Sequence, residues 1–521
     1  MAPAVATEVT VSKRFTSELT MIQNNASPTL DRLFQRVLAR RPSSLALLDP
    51  INKPRITGHD PRRMTFEQVD RAISGLASHF VEAGLPVNSI IGVQLPNTAE
   101  FILTLLAAHR AGLIVALLPQ LWRHAELTAA LNRTGARAIV TSAKIDGVSH
   151  ADLAMNAAAE AFSIRHVCGF GENLPEGMAS LDLAMEATPS ATLPTLNQDG
   201  RRAAVISFDT TPDGLRAVPR THLNLIAGGL SIFLESRVPQ GIKLMSAFAP
   251  SSFAGLASSV LTWLLSGGTL SLHHPFDGSA FEHQVNEDGC DALIAPAPLA
   301  MRLAELDMAS RLPNLRHVIG LWRAPEQVAS SAPWTIEQTR FTDVYLFGEA
   351  GLFSARRTAE GQPVPIMPGP HGAPRDVPGT SNAGETVITP KGTLALRGPM
   401  VTVAAYAPPA PPSDSMLAHT PLDYVDTGYA ARLDRTTGAI CITSPPSGIV
   451  AVGGYRFLSQ DLQEWAKRLG HGALLTALPD RLCGYRLAGR AQDNARGREA
   501  LTELGLNPLM AEAFRDRTIH A

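Results

Sequence analysis

ISFDTTPDGLRAVPRTH, residues 206–222, leads from an apolar run to a helix start through a loop holding two aspartates and an arginine. Val205 to Phe208 has the apolar continuity of a buried strand, and Thr221 to Leu234 reads as a helix. Between them Thr210-Thr211-Pro212-Asp213-Gly214 has, by itself, the make-up of an ordinary Pro-Asp-Gly turn. A loop that joins a strand to a helix is also where converging backbone N–H groups can hold phosphate. Asp209 and Asp213 place acceptor-only carboxylates there, and Arg216 supplies a planar, delocalised cation. A polyphosphate would be repelled by the first two.

Composition narrows the class. A chain of 521 residues exceeds one ordinary core, so several subdomains are expected. With 45% hydrophobic and 18% charged residues it is a packed globular protein. A net charge of −2 provides no basic field for nucleic acid. The four cysteines, Cys168, Cys290, Cys441 and Cys483, are scattered without metal or disulfide spacing, which fits a reducing cytoplasm. No signal pattern and no apolar run of about 18 residues suggests a membrane span; Gly255 to Leu272 is broken by Ser, Thr and Gly and reads as a buried helix entering a strand.

The chain alternates strands and helices. Thr65-Phe66-Glu67-Gln68 is a capping-box pattern, followed by Ala72, Ile73, Leu76 and Phe80 at helical spacing and Gly84 as a stop. Ile90–Gln94, Ile114–Leu118 and Ala138–Thr141 read as strands around helices from Glu100 to Arg110 and Ala125 to Asn132. Leu244–Phe248, Leu293–Pro296 and His317–Gly320 repeat the style, which predicts parallel βαβ units. From about Pro363 short strands dominate, including Gly384–Ile388, Thr393–Arg397 and Val401–Tyr406; a helix from Ser459 to Leu469 follows Gly453-Gly454-Tyr455-Arg456, and the last helix runs from Pro508 to Arg515. His273 and His274, adjacent at a strand end, should face opposite ways and share no metal. Arg62-Arg63 and Arg356-Arg357 read as solvated faces, the second pair with an anionic ligand as its alternative. GxSxG, HExxH, EF-hand and GxGxxG motifs are missing.

Several segments together resemble one family. Thr65-Phe66 with Asp70, Leu76 and Ala77, then Gly92-Val93-Gln94-Leu95-Pro96-Asn97 with Glu100-Phe101, Pro219-Arg220-Thr221-His222, and Gly392-Thr393-Leu394-Ala395-Leu396-Arg397-Gly398-Pro399 are similar to segments of the adenylate-forming superfamily of AMP-dependent acyl- and aryl-CoA synthetases. The resemblance runs from about residue 28 to 485. It implies an α/β fold with a large N-terminal domain of two doubly wound sublobes plus a small β-barrel-like subdomain, then a small truncated α+β C-terminal domain. The corresponding division is a leader over 1–27, the large domain over 28–443 and the C-terminal domain over 444–521. It also implies ATP with Mg²⁺ and CoA as cofactors, a small-molecule carboxylate or acyl thioester as substrate, and a second copy or a protein partner as a possible companion.

Carried over position by position, the resemblance gives a site whose residues are exchanged. The loop lysine falls on Arg216 and its preceding proline on Leu215; the loop glycines fall on Asp209, Thr210 and Asp213. In Phe347-Gly348-Glu349-Ala350-Gly351 the Mg²⁺ acid falls on Gly351, with Glu349 two residues early, about 7 Å along an extended chain. Glu349 reads as a recruited metal acid or, more simply, as a solvated loop acid. In Asp426-Thr427-Gly428-Tyr429 the ribose acid falls on Tyr429, the hinge arginine falls on Pro445 and the hinge Asp or Lys on Gly448. No lysine follows Lys467. The nucleotide set is therefore Thr210, Thr211, Gly214, Arg216, Gly348 and Tyr429, with Arg216 and Glu349 as catalytic candidates. The acyl pocket set is Phe248, Ser252, Phe253, Gly320 and Phe347, of which Phe253 stands where relatives often carry His and reads equally as core. Three readings follow: a ligase homologue that keeps its carboxylate pocket with impaired or altered adenylation, a non-catalytic pseudo-ligase that binds a metabolite or partner, and a conventional acyl- or aryl-acid CoA ligase.

Overall fold

Two mixed sheets, each closed at one or both rims by an antiparallel strand, organise the chain; the computed structural model describes residues 28–196, 199–307, 311–371, 383–402 and 424–515. The expected leader and the end of the Val401–Tyr406 segment lie outside those residues. In the first sheet the parallel strands Ile114–Leu117, Ile90–Gln94, Ala138–Ser142, His166–Phe170 and Met178–Ser180 are flanked by the antiparallel hairpin Ala203–Thr211 and Gly214–Thr221. The second sheet has a parallel centre, His317–Trp322, Ala292–Pro296, Lys243–Ser246, Thr269–Leu272 and Leu45–Leu48. Its outer strands Arg340–Leu346 and Leu352–Arg356 pair antiparallel with one another, as Arg63–Thr65 does with Leu45–Leu48 at the other rim. Strands buried on both faces read as unbroken apolar runs, and Ile90–Gln94 and His317–Trp322 are buried throughout.

Local chemistry sets the helix boundaries. Thr65 Oγ1 accepts from Gln68 N at 3.3 Å while Gln68 Oε1 accepts from Thr65 N at 2.8 Å, the capping box expected from the sequence. We expect Thr65→Ala to lower stability by about 1 kcal/mol, seen as a small fall in thermal midpoint with an unchanged circular dichroism spectrum. Gly228-Gly229 in the helix His222–Ser236 permit close packing: a Cβ at Gly229 would lie 2.3 Å from Leu261 Cβ, and one at Gly228 2.6 Å from Phe253 Cζ. The partner there is Leu256–Leu261, a π-helical stretch between Phe253–Gly255 and Thr262–Ser266, so the predicted helix from Gly255 is present with a widened turn.

A fully buried ion triad ties the two sheets together. Lys53 Nζ donates to Asp49 Oδ2 at 2.7 Å and Glu100 Oε1 at 2.6 Å, and Asp49 Oδ1 accepts from Ala99 N at 2.8 Å. Burial and then the Glu100 charge push the Asp49 carboxyl up to about 6, against the pull of Lys53.

Beyond residue 363 the short strands Gly369–His371, Gly384–Ile388, Thr393–Arg397, Val425–Leu433 and Ile440–Ser444 make an antiparallel sheet. Two further hairpins, Ile449–Val452 with Tyr455–Leu458 and Leu474–Asp480 with Gly484–Arg490, pack with the helices Ser459–Arg468, Asn494–Glu503 and Pro508–Glu512 around their own apolar cluster, including Leu462, Leu475, Leu487, Leu501 and Phe514. Arg357 departs from the solvated face expected of it. It is buried in a bidentate pair with Asp343, at 2.9 and 3.0 Å, and its remaining donors go to Ala332 O, Gly361 O and Ser331 Oγ, so none is left for an anion. His273 Nδ1 faces Gln284 Oε1 at 3.0 Å and His274 Nε2 faces Asp146 Oδ2 at 3.1 Å, different partners on different sides.

Candidate functional site

The 206–222 stretch is a hairpin rather than an open loop. The first strand continues through Thr211, and the register pairs Asp209 with Arg216, Thr210 with Leu215 and Thr211 with Gly214, leaving Pro212 and Asp213 as the turn. Proline suits the second position of a four-residue turn and glycine, here at φ +99°, the fourth. Thr211 Oγ1 donates to Gly214 O at 3.1 Å, closing the tip on itself. Pro212 has no N–H to offer an anion. Arg216 sits half-buried on the outer strand and makes no ion pair among the described residues.

Below the tip, residues from four distant segments meet. Asp209 Oδ2 accepts from Glu349 N at 3.1 Å, and its Oδ1 accepts from Arg456 Nη1 at 2.9 Å. Arg456 Nη2 donates to the Tyr429 hydroxyl at 3.0 Å, and Arg456 O accepts from Thr210 Oγ1 at 3.1 Å. The Arg456 guanidinium fills the space left by Gly348: a Cβ there would lie 2.5 Å from it, at a backbone φ of +58°. Burial alone would lower the pKa of the Arg456 cation, but Asp209 and Tyr429 outweigh it and hold the pKa above the usual value.

Glu349 is buried, not solvated as expected. Its carboxylate accepts from Phe253 N at 3.2 Å and stands beside Arg220, whose charge opposes the upward push of burial on the acid. Arg220 is itself fully enclosed: it donates to Met400 O at 2.7 Å and to Glu349 O, lies 3.7 Å over the Phe253 ring, and is lowered to about 10 by burial. The chain Arg220, Glu349, Asp209, Arg456 thus sets two adjacent acids between two arginines and sums to zero charge. Gly351, the position of the expected metal acid, faces the neighbouring sheet, where a Cβ would lie 2.9 Å from Leu396 Cδ1.

The structure brings together Thr210, Gly348 and Tyr429 of the nucleotide set with Phe253 and Phe347 of the pocket set, through Glu349. Phe347 meets the Tyr429 ring edge-on at 5.6 Å. Ser252 caps the helix that Phe253 starts, accepting from Gly255 N at 3.1 Å. Gly320 is covered by Phe341, whose Cζ would lie 2.4 Å from a Cβ. Phe248 is overlaid by the Arg323 guanidinium at 4.2 Å.

Arg323, Tyr455 and Arg456 are absent from the sequence-based set, yet they close the site. Tyr455 OH accepts from Leu121 N at 3.0 Å, and burial pushes that phenol up to about 12. Gly454, at φ +95°, lets Arg323 approach to 2.8 Å of where a Cβ would be, and burial lowers Arg323 to about 10. The available signal was the double glycine itself, both at positive φ, ahead of an aromatic and a cation.

These residues do not fit a Mg²⁺–polyphosphate as arranged. Each oxygen of Asp209 already accepts an N–H, and Arg456, the cation beside Gly348, is bound to Asp209 and Tyr429, which leaves Arg216 on the outer strand as the hairpin's cation without an ion pair among the described residues.

Comparison with known proteins adds four findings. A family model described as "AMP-binding enzyme" matches residues 34–402. A salicylyl-CoA synthase / salicylate adenylyltransferase of Streptomyces sp is 24% identical over 80% of this chain and 77% of its own length. A medium-chain fatty-acid–CoA ligase of Escherichia coli is 28% identical over 31% of this chain, and that match spans only 29% of the relative. Among solved structures, the amide bond synthetase McbA from Marinactinospora thermotolerans superposes with a TM-score of 0.66 at 16% identity, covering 92% of this chain and 94% of the other. The likeness is one of fold.

Proposed function

Because the chain belongs to the AMP-binding enzyme family, we propose that it is an acyl- or aryl-acid ligase homologue that keeps a carboxylate-type pocket near Phe248, Ser252, Phe253, Gly320 and Phe347, with ATP-dependent adenylation impaired or altered. Its ligand in this reading is a small carboxylate or its acyl thioester. The relatives named above act on aromatic and aliphatic acids, which sets the panel to be tried.

One observation carries the reading: Arg456 is bonded to Asp209 and Tyr429 in the space beside Gly348. For a polyphosphate to enter, that guanidinium must leave a partly buried carboxylate. A hydrogen bond to a charged group is worth about 1.5–3 kcal/mol, so the open form is reduced roughly ten- to a hundred-fold and nucleotide affinity with it. Asp209, once freed, then faces the phosphates with like charge.

Pyrophosphate release decides the matter. With ATP, Mg²⁺ and a panel of fatty and hydroxybenzoic acids, the purified protein is expected to release none above the protein-free control. Robust turnover with any acid would establish the conventional ligase that its relatives represent. A thermal-shift series with ATP, AMP, CoA, free acids and acyl-CoAs separates the remainder: stabilisation by acids or thioesters supports the retained pocket, because binding to the native state raises the midpoint by mass action. No response to any of them, with a protein partner captured instead, supports the pseudo-ligase.

A further inference from the structure

The fold encloses the Arg323 guanidinium without answering it. The residue directly follows the strand His317–Trp322, and its half-buried side chain lies between the Phe248 ring, 4.2 Å from Cζ, and the Gly454 backbone. Apart from that ring contact it makes no hydrogen bond and no ion pair among the described residues. Its nitrogens are nonetheless open to solvent. Among the described residues, the polar side-chain atoms that are both sealed and unpartnered include Arg220 Nε but no atom of Arg323. The fork of N–H groups therefore looks into a cleft that the polar end of a small molecule can enter.

The charges around Arg323 do not cancel it. The groups whose ionisation it feels are the Tyr455 phenol and the Cys483 thiol. Burial pushes both up, the phenol to about 12, so both are neutral at pH 7. Glu326, three residues on, has both carboxyl oxygens sealed from solvent and is met by the Arg456 charge instead. Arg123 and Glu126 flank Tyr455 with one charge of each sign. A positive charge is left over. Tyr455 adds a second donor: its oxygen accepts from Leu121 N at 3.0 Å, and its own O–H proton goes to no acceptor among the described residues. An open guanidinium fork at a strand end and a free phenolic proton on the hairpin Ile449–Val452 with Tyr455–Leu458 thus meet in one place. A partly desolvated guanidinium without a counter-charge is unfavourable, and a carboxylate matches its fork with two parallel hydrogen bonds.

We propose that Arg323 receives the carboxylate of the acid this protein binds, as a bidentate pair, with the Tyr455 hydroxyl donating to the same group. The apolar body of the acid then lies on the Phe248 side; that part rests on the pocket reading given above, and the carboxylate contact does not.

The test is isothermal titration calorimetry of the full chain with acetate, benzoate and octanoate, and with benzamide and octanamide, at matched ionic strength. Acetate reports on the cleft alone, the larger acids add an apolar body, and the amides keep that body without the charge. At least one larger acid is expected to bind saturably, tighter than acetate and at least tenfold tighter than its amide. Arg323→Met should remove that advantage, so that acid and amide bind alike, and Arg323→Lys, which keeps the charge but not the fork, should fall between. Tyr455→Phe should weaken the acid severalfold. An acid that keeps its advantage over the amide in Arg323→Met overturns the assignment and leaves the pocket reading standing. Larger acids that bind no tighter than acetate, with all three lost in Arg323→Met, uphold the assignment and overturn the pocket. No binding by any of the acids at millimolar concentration overturns both.

Discussion

Lys53→Met is expected to lower unfolding free energy by about 3–5 kcal/mol at pH 7, because removing one member of a buried ion cluster leaves uncompensated charge in a medium that solvates it poorly. Here the deletion strands two carboxylates. Asp49 and Glu100 both lose the ammonium that held them, at 2.7 and 2.6 Å, and neither has water to turn to. In the native protein, burial pushes Glu100 up, but Lys53 outweighs it and holds the acid below its usual value. Without Lys53 both acids must rise in the folded state. An acid with a raised folded pKa favours folding when protonated, so the loss should be greatest at neutral pH and shrink as pH falls towards that of the unfolded carboxylates. Urea denaturation followed by tryptophan fluorescence at pH 7.5 and 5.5 measures both. A loss under about 1 kcal/mol, or one that grows on acidification, would refute the argument.

Arg456→Ala is expected to cost about 2–4 kcal/mol in the transition that releases residues 449–514, and to expose that part of the chain to protease. The magnitude follows from leaving Asp209 half-buried with one oxygen unmet and Tyr429 without its donor. A coupling measurement separates the ion pair from lost packing. If the pair carries the effect, Asp209→Asn with Arg456→Ala should together cost clearly less than the sum of the two single changes. Strict additivity would mean that the side chain acts only as filler beside Gly348. The same single variant should bind ATP better than wild type in the thermal-shift series, since the competing cation is gone.

The scaffold was legible because its information is local. A Thr three residues before a Gln, an apolar run bounded by turn residues, and strands alternating with helices each report on neighbours in sequence, and Thr65, Ile90–Gln94 and His317–Trp322 behave accordingly. The site was legible only where its members sit in such segments. Glu349 was expected in solvent because nothing near it in sequence announces Arg220 or the Phe253 amide, which arrive from 129 and 96 residues away. Arg357 reads as solvated from its neighbours in sequence for the same reason: Asp343 meets it across an antiparallel pair. Arg456 gives no sequence signal, because a lone cation on a short strand carries no pattern and its partner Asp209 lies 247 residues earlier. The Pro-Asp-Gly segment, in contrast, behaves as its own composition dictates, as a turn.

That turn has a consequence for any attempt to install phosphate binding at the tip. Exchanging Asp209 and Asp213 for glycine and Arg216 for lysine would restore side chains yet leave the chain too short. With two residues between the paired strands, one of them proline, the tip has a single turn amide to present, whereas a cradle needs several converging at once. The missing ingredient is slack. A gain of that capacity would have to come by insertion between Thr211 and Gly214, lengthening the connection, and point substitutions alone would only decorate a hairpin.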